Sequence, residues 1–218
     1  QGKKMLNMDS EEEGIFLVSC AGGATATITL PVMQRIHKKD KQYGIHIRGL
    51  QGGHSGTEID KGLANASVVL GRVLAALQEK AQIQLICIQG GKKDNAIPRE
   101  AEAFFTSSER EETLRQTAEE IQEMIQSEYR ETEPQMEFVW SQEEGDCRVM
   151  SEEDTKKVIT LLRILPAGVQ KMSREIEGLV QTSLNLGVLE SKEDGVSFCF
   201  SVRSSVESEK QELLNRLE

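Results

Sequence analysis

Apolar positions along the chain follow two periods, and the switches between them outline a fold. Tyr43, Ile45 and Ile47 alternate with His46 and Arg48, the spacing of a half-buried strand. Leu63, Ala66, Leu70, Val73, Leu74 and Leu77 then recur at helical spacing. "QIQLICIQGG" reads as a strand ending in glycines, and "NAIPREAEAFFTSS" as a proline-bounded turn and another strand. Leu114, Ala118, Ile121, Ile125 and Tyr129 form a second helical stripe behind the expected cap Ser108, and Met136, Phe138 and Trp140 alternate again. Tyr43 to Glu143 therefore predicts β-α-β-β-α-β. This is the split βαβ, ferredoxin-like order of an α+β fold, an antiparallel sheet with helices on one face.

Beyond "SQEEGD", read as a break, the pattern partly repeats. A helix is expected around Glu152 to Leu162, then a strand pair in "LVQTSLNLGVLES" and "VSFCFSVRSS", separated by "KEDG". A terminal helix is expected from near Val206, capped at Ser205 with Glu209 near the capping-box position. This second partial repeat would extend the same sheet. Before Tyr43, "GIFLVSCAGGATATITLP" reads as strand, glycine turn, strand, and "VMQRIHKKDKQ" as a charged connection.

Composition narrows the class. Hydrophobic residues make up 38% and charged residues 28%, as in a soluble globular chain, and the formal net charge is −10. That charge argues against a nucleic-acid or anionic-membrane partner, since both need a dense basic face. No apolar run approaches the roughly 18 residues of a membrane span, and the N-terminus has no signal-peptide pattern. The four cysteines, Cys20, Cys87, Cys147 and Cys199, lack CxxC and CxH spacing, which fits reduced thiols in a cytosolic protein. The chain starts without Met and ends within a helical pattern, so an excised segment is expected.

Four positions are candidates for chemistry. His54 lies in "GLQGGHSGTEID" between a strand and a helix, flanked by glycines that let backbone approach a ligand. A neutral imidazole N–H there could donate to a developing oxyanion; the alternative is a loop histidine exposed by chance. Asn95, in "GGKKDNAIPREA", is either a turn asparagine or an amide that orients a substrate carbonyl or carboxylate. Arg203 ends a strand whose Val196, Phe198, Phe200 and Val202 point the other way; it suits a carboxylate, or is a surface arginine near a helix start. Asp9, in "NMDSEEEG", follows a short apolar stretch, as a metal-binding carboxylate does at a strand end. A single carboxylate does not hold a divalent ion, so residues outside this chain would have to complete the site.

Taken in order, "NMDSEEEG", "SCAGG", "GLQGGHSGTEIDKGLANA", "GGKKDNAIPREA", "TSLNLGV" and "RSS" resemble the aminoacyl-histidine (cytosol non-specific) dipeptidases of the M20 metallopeptidases. The resemblance covers essentially the whole chain. It implies a cytoplasmic enzyme with two Zn²⁺ ions per active site that hydrolyses Xaa-His and other dipeptides, and a homodimer built through a lid domain. By this resemblance residues 1–30 are a remnant of the catalytic domain and 31–218 the lid and dimerisation domain. Asp9 matches a metal ligand, His54 the lid histidine that stabilises the tetrahedral intermediate, and Asn95 and Arg203 substrate contacts. The family's metal histidines, bridging aspartate and catalytic glutamate have no counterpart here, and Leu63 stands where the family often has arginine. The isolated chain is therefore expected to be inactive. The alternatives are a non-catalytic dimerisation or interaction module of the same fold, or a lid-bearing amidohydrolase, which "NAIPREA" and "DSEEEG" disfavour.

Overall fold

A computed structural model describes residues 20–32 and 35–218; Asp9 and the acidic stretch around it lie outside the described residues. Among the described residues fourteen elements follow one another: β1 (Gly22–Pro31), β2 (Arg35–Arg48), β3 (Gly53–His54), α1 (Ala66–Lys80), β4 (Ile83–Gly90), β5 (Ala96–Ile97), β6 (Ala101–Ser107), α2 (Glu111–Glu128), β7 (Glu137–Met150), α3 (Glu152–Ile164), β8 (Gly168–Met172), β9 (Val180–Ser191), β10 (Gly195–Ser204) and α4 (Glu207–Leu217). Seven strands form a sheet in the order β1-β10-β9-β4-β6-β2-β7, with β8 added alongside β9. Every pairing is antiparallel. Within it, β4-β6-β2-β7 is the ferredoxin-like arrangement that the apolar periods predict.

Strand alternation builds one core. Tyr43, Ile45 and Ile47 of β2 and Phe198, Phe200 and Val202 of β10 are buried. They join one hydrophobic cluster with Leu70 and Leu74 of α1, Leu114 and Ile125 of α2, Val158 and Leu162 of α3, and Leu213 of α4. Tyr43, Phe105 and Trp140 close it near β7 with ring centroids 5.6–6.0 Å apart. The odd-numbered residues of β9 and β10 in this stretch, Ser183, Asn185, Ser201 and Arg203, therefore fall on the opposite side of the sheet.

The structure corrects several expectations. The charged connection and the "SQEEGD" break are both strand: β2 pairs with β7 in unbroken register from Arg35–Met150 to Arg48–Glu137. Apolar alternation is weak there because the pair extends beyond the core. Opposite charges face each other instead, Lys39 against Asp146 and Lys41 against Glu144. β8 was not anticipated. Helix α2 starts after Arg110 with no side-chain cap, while Ser107 Oγ accepts from Glu109 N at 3.2 Å. At α4, Ser204 rather than Ser205 supplies the hydroxyl, accepting from Val206 N at 3.0 Å. Leu63 precedes α1, whose cap is Asn65. The stretch read as strand, glycine turn, strand continues as one strand from Gly22, and Gly22–Pro31 pairs along its whole length with β10, from Gly22–Ser204 to Pro31–Gly195.

Glu209 does not cap α4 either; it docks the helix onto the sheet. Its carboxylate accepts from Gln181 Nε2 at 2.8 and 2.9 Å, from Thr182 Oγ1, and from Lys171 Nζ. These partners, Gln181 first, hold its carboxyl down to about 2. A depressed carboxyl contributes stability that is fully present above its ordinary value near 4.5 and is lost as pH falls toward about 2. Amide hydrogen exchange in α4 should accordingly accelerate between these pH values, and Glu209→Gln should remove that pH dependence. Exchange in α4 that tracks pH equally in both proteins would show that another group carries the effect.

Candidate functional site

Three of the four residues singled out from the sequence come together. The chain between β2 and α1 folds back so that β3 pairs with β5, Gly53 opposite Ile97 and His54 opposite Ala96. Ser55 N donates to Asn95 O at 2.9 Å, placing His54 and Asn95 on adjoining turns. Arg203, at the end of β10, reaches the same corner. A Cβ on Gly56 would stand 3.0 Å from His54 Cε1 and 3.1 Å from Arg203 Cζ, so imidazole and guanidinium bracket Gly56.

The histidine's tautomer follows from its neighbours. Nδ1 accepts from the backbone N–H groups of Gly56 and Thr57, each at 3.3 Å, with Thr57 Oγ1 also at 3.3 Å. An accepting Nδ1 assigns the ring N–H to Nε2, leaving a donor directed away from the turn. The His54 backbone is held in turn by Glu58, whose Oε2 accepts from His54 N at 2.8 Å while Oε1 accepts from Lys61 Nζ at 2.8 Å. The lysine, then the backbone bond, lowers the Glu58 carboxyl below its usual range.

Asn95 and Arg203 both have free binding capacity. The Asn95 side chain is exposed and forms no hydrogen bond among the described residues, although its backbone is fixed at both ends: its N–H donates to Asp94 Oδ1 at 2.9 Å and its carbonyl accepts from Ser55. Arg203 forms no ion pair among the described residues, and its buried Nε lacks a partner, as does the buried Ser55 Oγ. A buried guanidinium nitrogen without an acceptor is costly unless an anion or water completes it. Imidazole N–H, carboxamide and guanidinium at one corner suit a ligand carrying a carbonyl and a carboxylate.

Sequence reasoning missed the residue that shapes the glycine loop. Glu133, 3% exposed, lies just beyond α2 and accepts from Gln51 N at 2.7 Å and from Ala64 N at 2.9 Å. One buried carboxylate thus ties both ends of the His54 loop, close to the positive N-terminus of α1. Gly49 opens the loop at φ +80°, where a Cβ would lie 2.1 Å from Gln135 O, so no other residue fits. Nothing local in "YRETEPQ" distinguishes Glu133 from its acidic neighbours; only the return of the loop across 69 residues gives it a role.

A cavity of about 520 Å³ opens beside these loops, between Gly49–Gly53 and Gly91–Glu100, lined by Lys92, Lys93 and Arg99 among others. His54, Asn95 and Arg203 do not line it, so the clustered polar groups and this cleft are separate features. Among the described residues no group of three or more His, Cys, Asp or Glu side chains could hold a metal ion, and no helix is long and apolar enough to cross a membrane.

The family model of the M20 peptidase dimerisation domain matches residues 45–133, the stretch that carries the β3–β5 pair and helices α1 and α2. Residues 45–133 are thus similar to the peptidase dimerisation domain of the M20 enzymes. The chain is 33% identical over 220 residues to the cytosol non-specific dipeptidase of Escherichia coli (strain K12), covering 100% of this chain and 45% of that protein. Its fold matches the crystal structure of aminoacylhistidine dipeptidase from Vibrio alginolyticus with a TM-score of 0.83 and 32% identity, over 91% of this chain and 41% of that one. The chain thus spans less than half the length of both relatives. The matched stretch, residues 45–133, contains His54 and Asn95, whereas Arg203 comes from the strands beyond it.

Glu133 should be a stability determinant of this domain. Glu133→Ala leaves the buried Ala64 N–H and the part-buried Gln51 N–H without an acceptor and should cost about 2–3 kcal/mol, while Glu133→Gln, which keeps one good acceptor, should cost about 1–2 kcal/mol. Urea denaturation checks the order, and faster exchange at the Gln51 and Ala64 amides should accompany it. Equal stability of wild type and Glu133→Ala would remove the carboxylate from this role.

Proposed function

We propose that this chain is the lid and dimerisation part of a cytoplasmic, zinc-dependent dipeptidase that cleaves Xaa-His and other dipeptides and works as a homodimer through this domain. The observation that carries the reading is the convergence of His54, Asn95 and Arg203, distant in sequence, around Gly56. His54 Nε2–H would donate to the carbonyl oxygen as negative charge develops on it, an interaction stronger in the transition state than in the substrate. Arg203 would take the substrate's terminal carboxylate through its two-pronged guanidinium, and Asn95 would orient the peptide by its carboxamide. A metal held by Asp9 together with residues outside this chain would supply Lewis-acid chemistry to the hydrolysis. Asp9 is the ligand this chain would contribute; it lies outside the described residues, and the described side chains do not fit a metal site. The metal-binding part would comprise the segment before Gly22 together with polypeptide outside this chain.

Three outcomes follow. The isolated chain should show no hydrolysis of β-alanyl-histidine with added Zn²⁺ or Mn²⁺, and robust turnover would sink the fragment reading. In the complete enzyme His54→Ala should lower kcat by roughly 10²–10³-fold, the loss expected for one oxyanion donor, with metal content unchanged. Loss of zinc along with activity would make His54 a ligand instead. Arg203→Lys should weaken binding of free-acid dipeptides by about 1–3 kcal/mol while sparing dipeptide amides and the melting temperature. Equal losses on both substrates would assign Arg203 to the sheet.

A further inference from the structure

Asn185 stands out among the buried polar residues because it serves no strand ladder and no core contact with its side chain. It projects from β9 on the side of the sheet away from the helices and is 2% exposed. Both hydrogens of its carboxamide go to one turn: Nδ2 donates to Asp94 O at 3.1 Å and to Ala96 O at 2.8 Å, the two carbonyls on either side of Asn95. Its Oδ1 accepts from Asn65 Nδ2 at 3.1 Å, and Asn65 in turn caps α1 through Ser67 N and Val68 N, at 3.0 and 3.3 Å. Every polar valence of Asn185 except one acceptor lone pair is therefore used to join the helix start to the Asn95 turn.

The rest of the turn is fixed from other directions. Gly187, two residues along β9, lies directly beneath it: a Cβ there would be 2.3 Å from Asp94 O. Thr25 of β1 donates to Asp94 Oδ2 at 2.8 Å, and Asp94 Oδ1 accepts from Asn95 N. Thr25, Ser201 and Asn185 form one row across β1, β10 and β9, so the turn is anchored to the two strands that flank β10, the strand carrying Arg203. Beyond Gln89–Glu190 and Gly90–Leu189, β4 and β9 no longer pair, and this gap is what lets the turn settle over β9.

We infer that Asn185 is a positioning residue for substrate binding: its carboxamide holds the Asp94–Ala96 turn so that the free Asn95 side chain is presented beside His54 and Arg203. This rests on the substrate role proposed for Asn95. Asn185→Asp keeps size and shape but removes both donors and places a carboxylate against two carbonyls. Thr25→Val removes the exposed Thr25–Asp94 bond without touching the core.

The test is a double-mutant cycle in the complete enzyme. Asn185→Asp should lower kcat/KM by about 10- to 100-fold, the scale of a misplaced binding group, and Thr25→Val by a few-fold. Both should change the same kinetic parameter that Asn95→Ala changes. In an Asn95→Ala background each should add less than about twofold, because they act through the residue already removed. If either loss instead multiplies fully with that of Asn95→Ala, or if both variants match wild type, the positioning role is overturned while the role of Asn95 stands. If Asn95→Ala itself has no effect, the Asn95 reading fails and this inference with it. Should Asn185→Asp not fold, Asn185→Ser and Thr25→Val carry the same cycle with the same outcomes.

Discussion

Two rungs of hydrogen-bonded strand, Gly53–His54 against Ala96–Ile97, are the constraint on which the functional corner depends. Neither segment could form a strand alone, and an isolated two-residue pair has almost no stability of its own in water. The pair exists because each flank is tied to something rigid. Glu133 closes the histidine loop against α1, and Asn185 with Gly187 seats the asparagine turn on β9. Local geometry at the site is thus borrowed from the sheet and helices, as expected where a binding group sits on a loop carried by a scaffold.

The two sides of the sheet divide the work. One side packs Phe198, Phe200 and Val202 into the cluster shared by all four helices. The other, reached by the alternate residues of the same strands, carries Arg203 and Asn185 beneath the two returning turns. A single strand therefore anchors the core and presents the guanidinium, which couples the position of Arg203 to the packing of the phenylalanines without any direct contact. Among the described residues Arg203 Nε, Ser55 Oγ and the Asn95 carboxamide leave polar capacity unused at this corner, while Ser67, Thr106 and Trp140 each leave a buried polar atom without a partner elsewhere. Folded structures satisfy nearly all such groups, so the unused capacity at this corner supports the substrate-binding reading proposed above.

The β2–β7 arm shows how weakly a solvated strand can be written. Over Arg35–Lys41 the pair is held by ladder bonds and facing charges, with no second strand on β2 until Gln42 meets β6. A segment such as "HKKDKQ" satisfies a strand, a loop or a helix surface equally well until its acidic counterpart, more than a hundred residues later, is laid beside it.

Much of this protein was determined by the sequence alone. Tyr43, Ile45 and Ile47, the Leu70–Leu77 stripe, the Leu114–Ile125 stripe and the alternating β10 phenylalanines predict the βαββαβ core and the side to which Arg203 points, because periods of 2 and 3.6 follow from covalent geometry. The glycine-flanked His54 and the turn-borne Asn95 were legible as candidates because glycine, proline and asparagine carry local backbone preferences. Tertiary structure alone decided which of these candidates meet, which histidine nitrogen bears the proton, and that Glu133 and Asn185 hold the two turns. It also decided that the β2 and β7 charged segments are one strand pair, that helix α4 docks through Glu209, and that Ser204 rather than Ser205 satisfies the backbone before it. Each of those facts rests on partners brought together by long-range closure, and a carboxylate or amide carries no mark in the sequence of the distant backbone group it will bond.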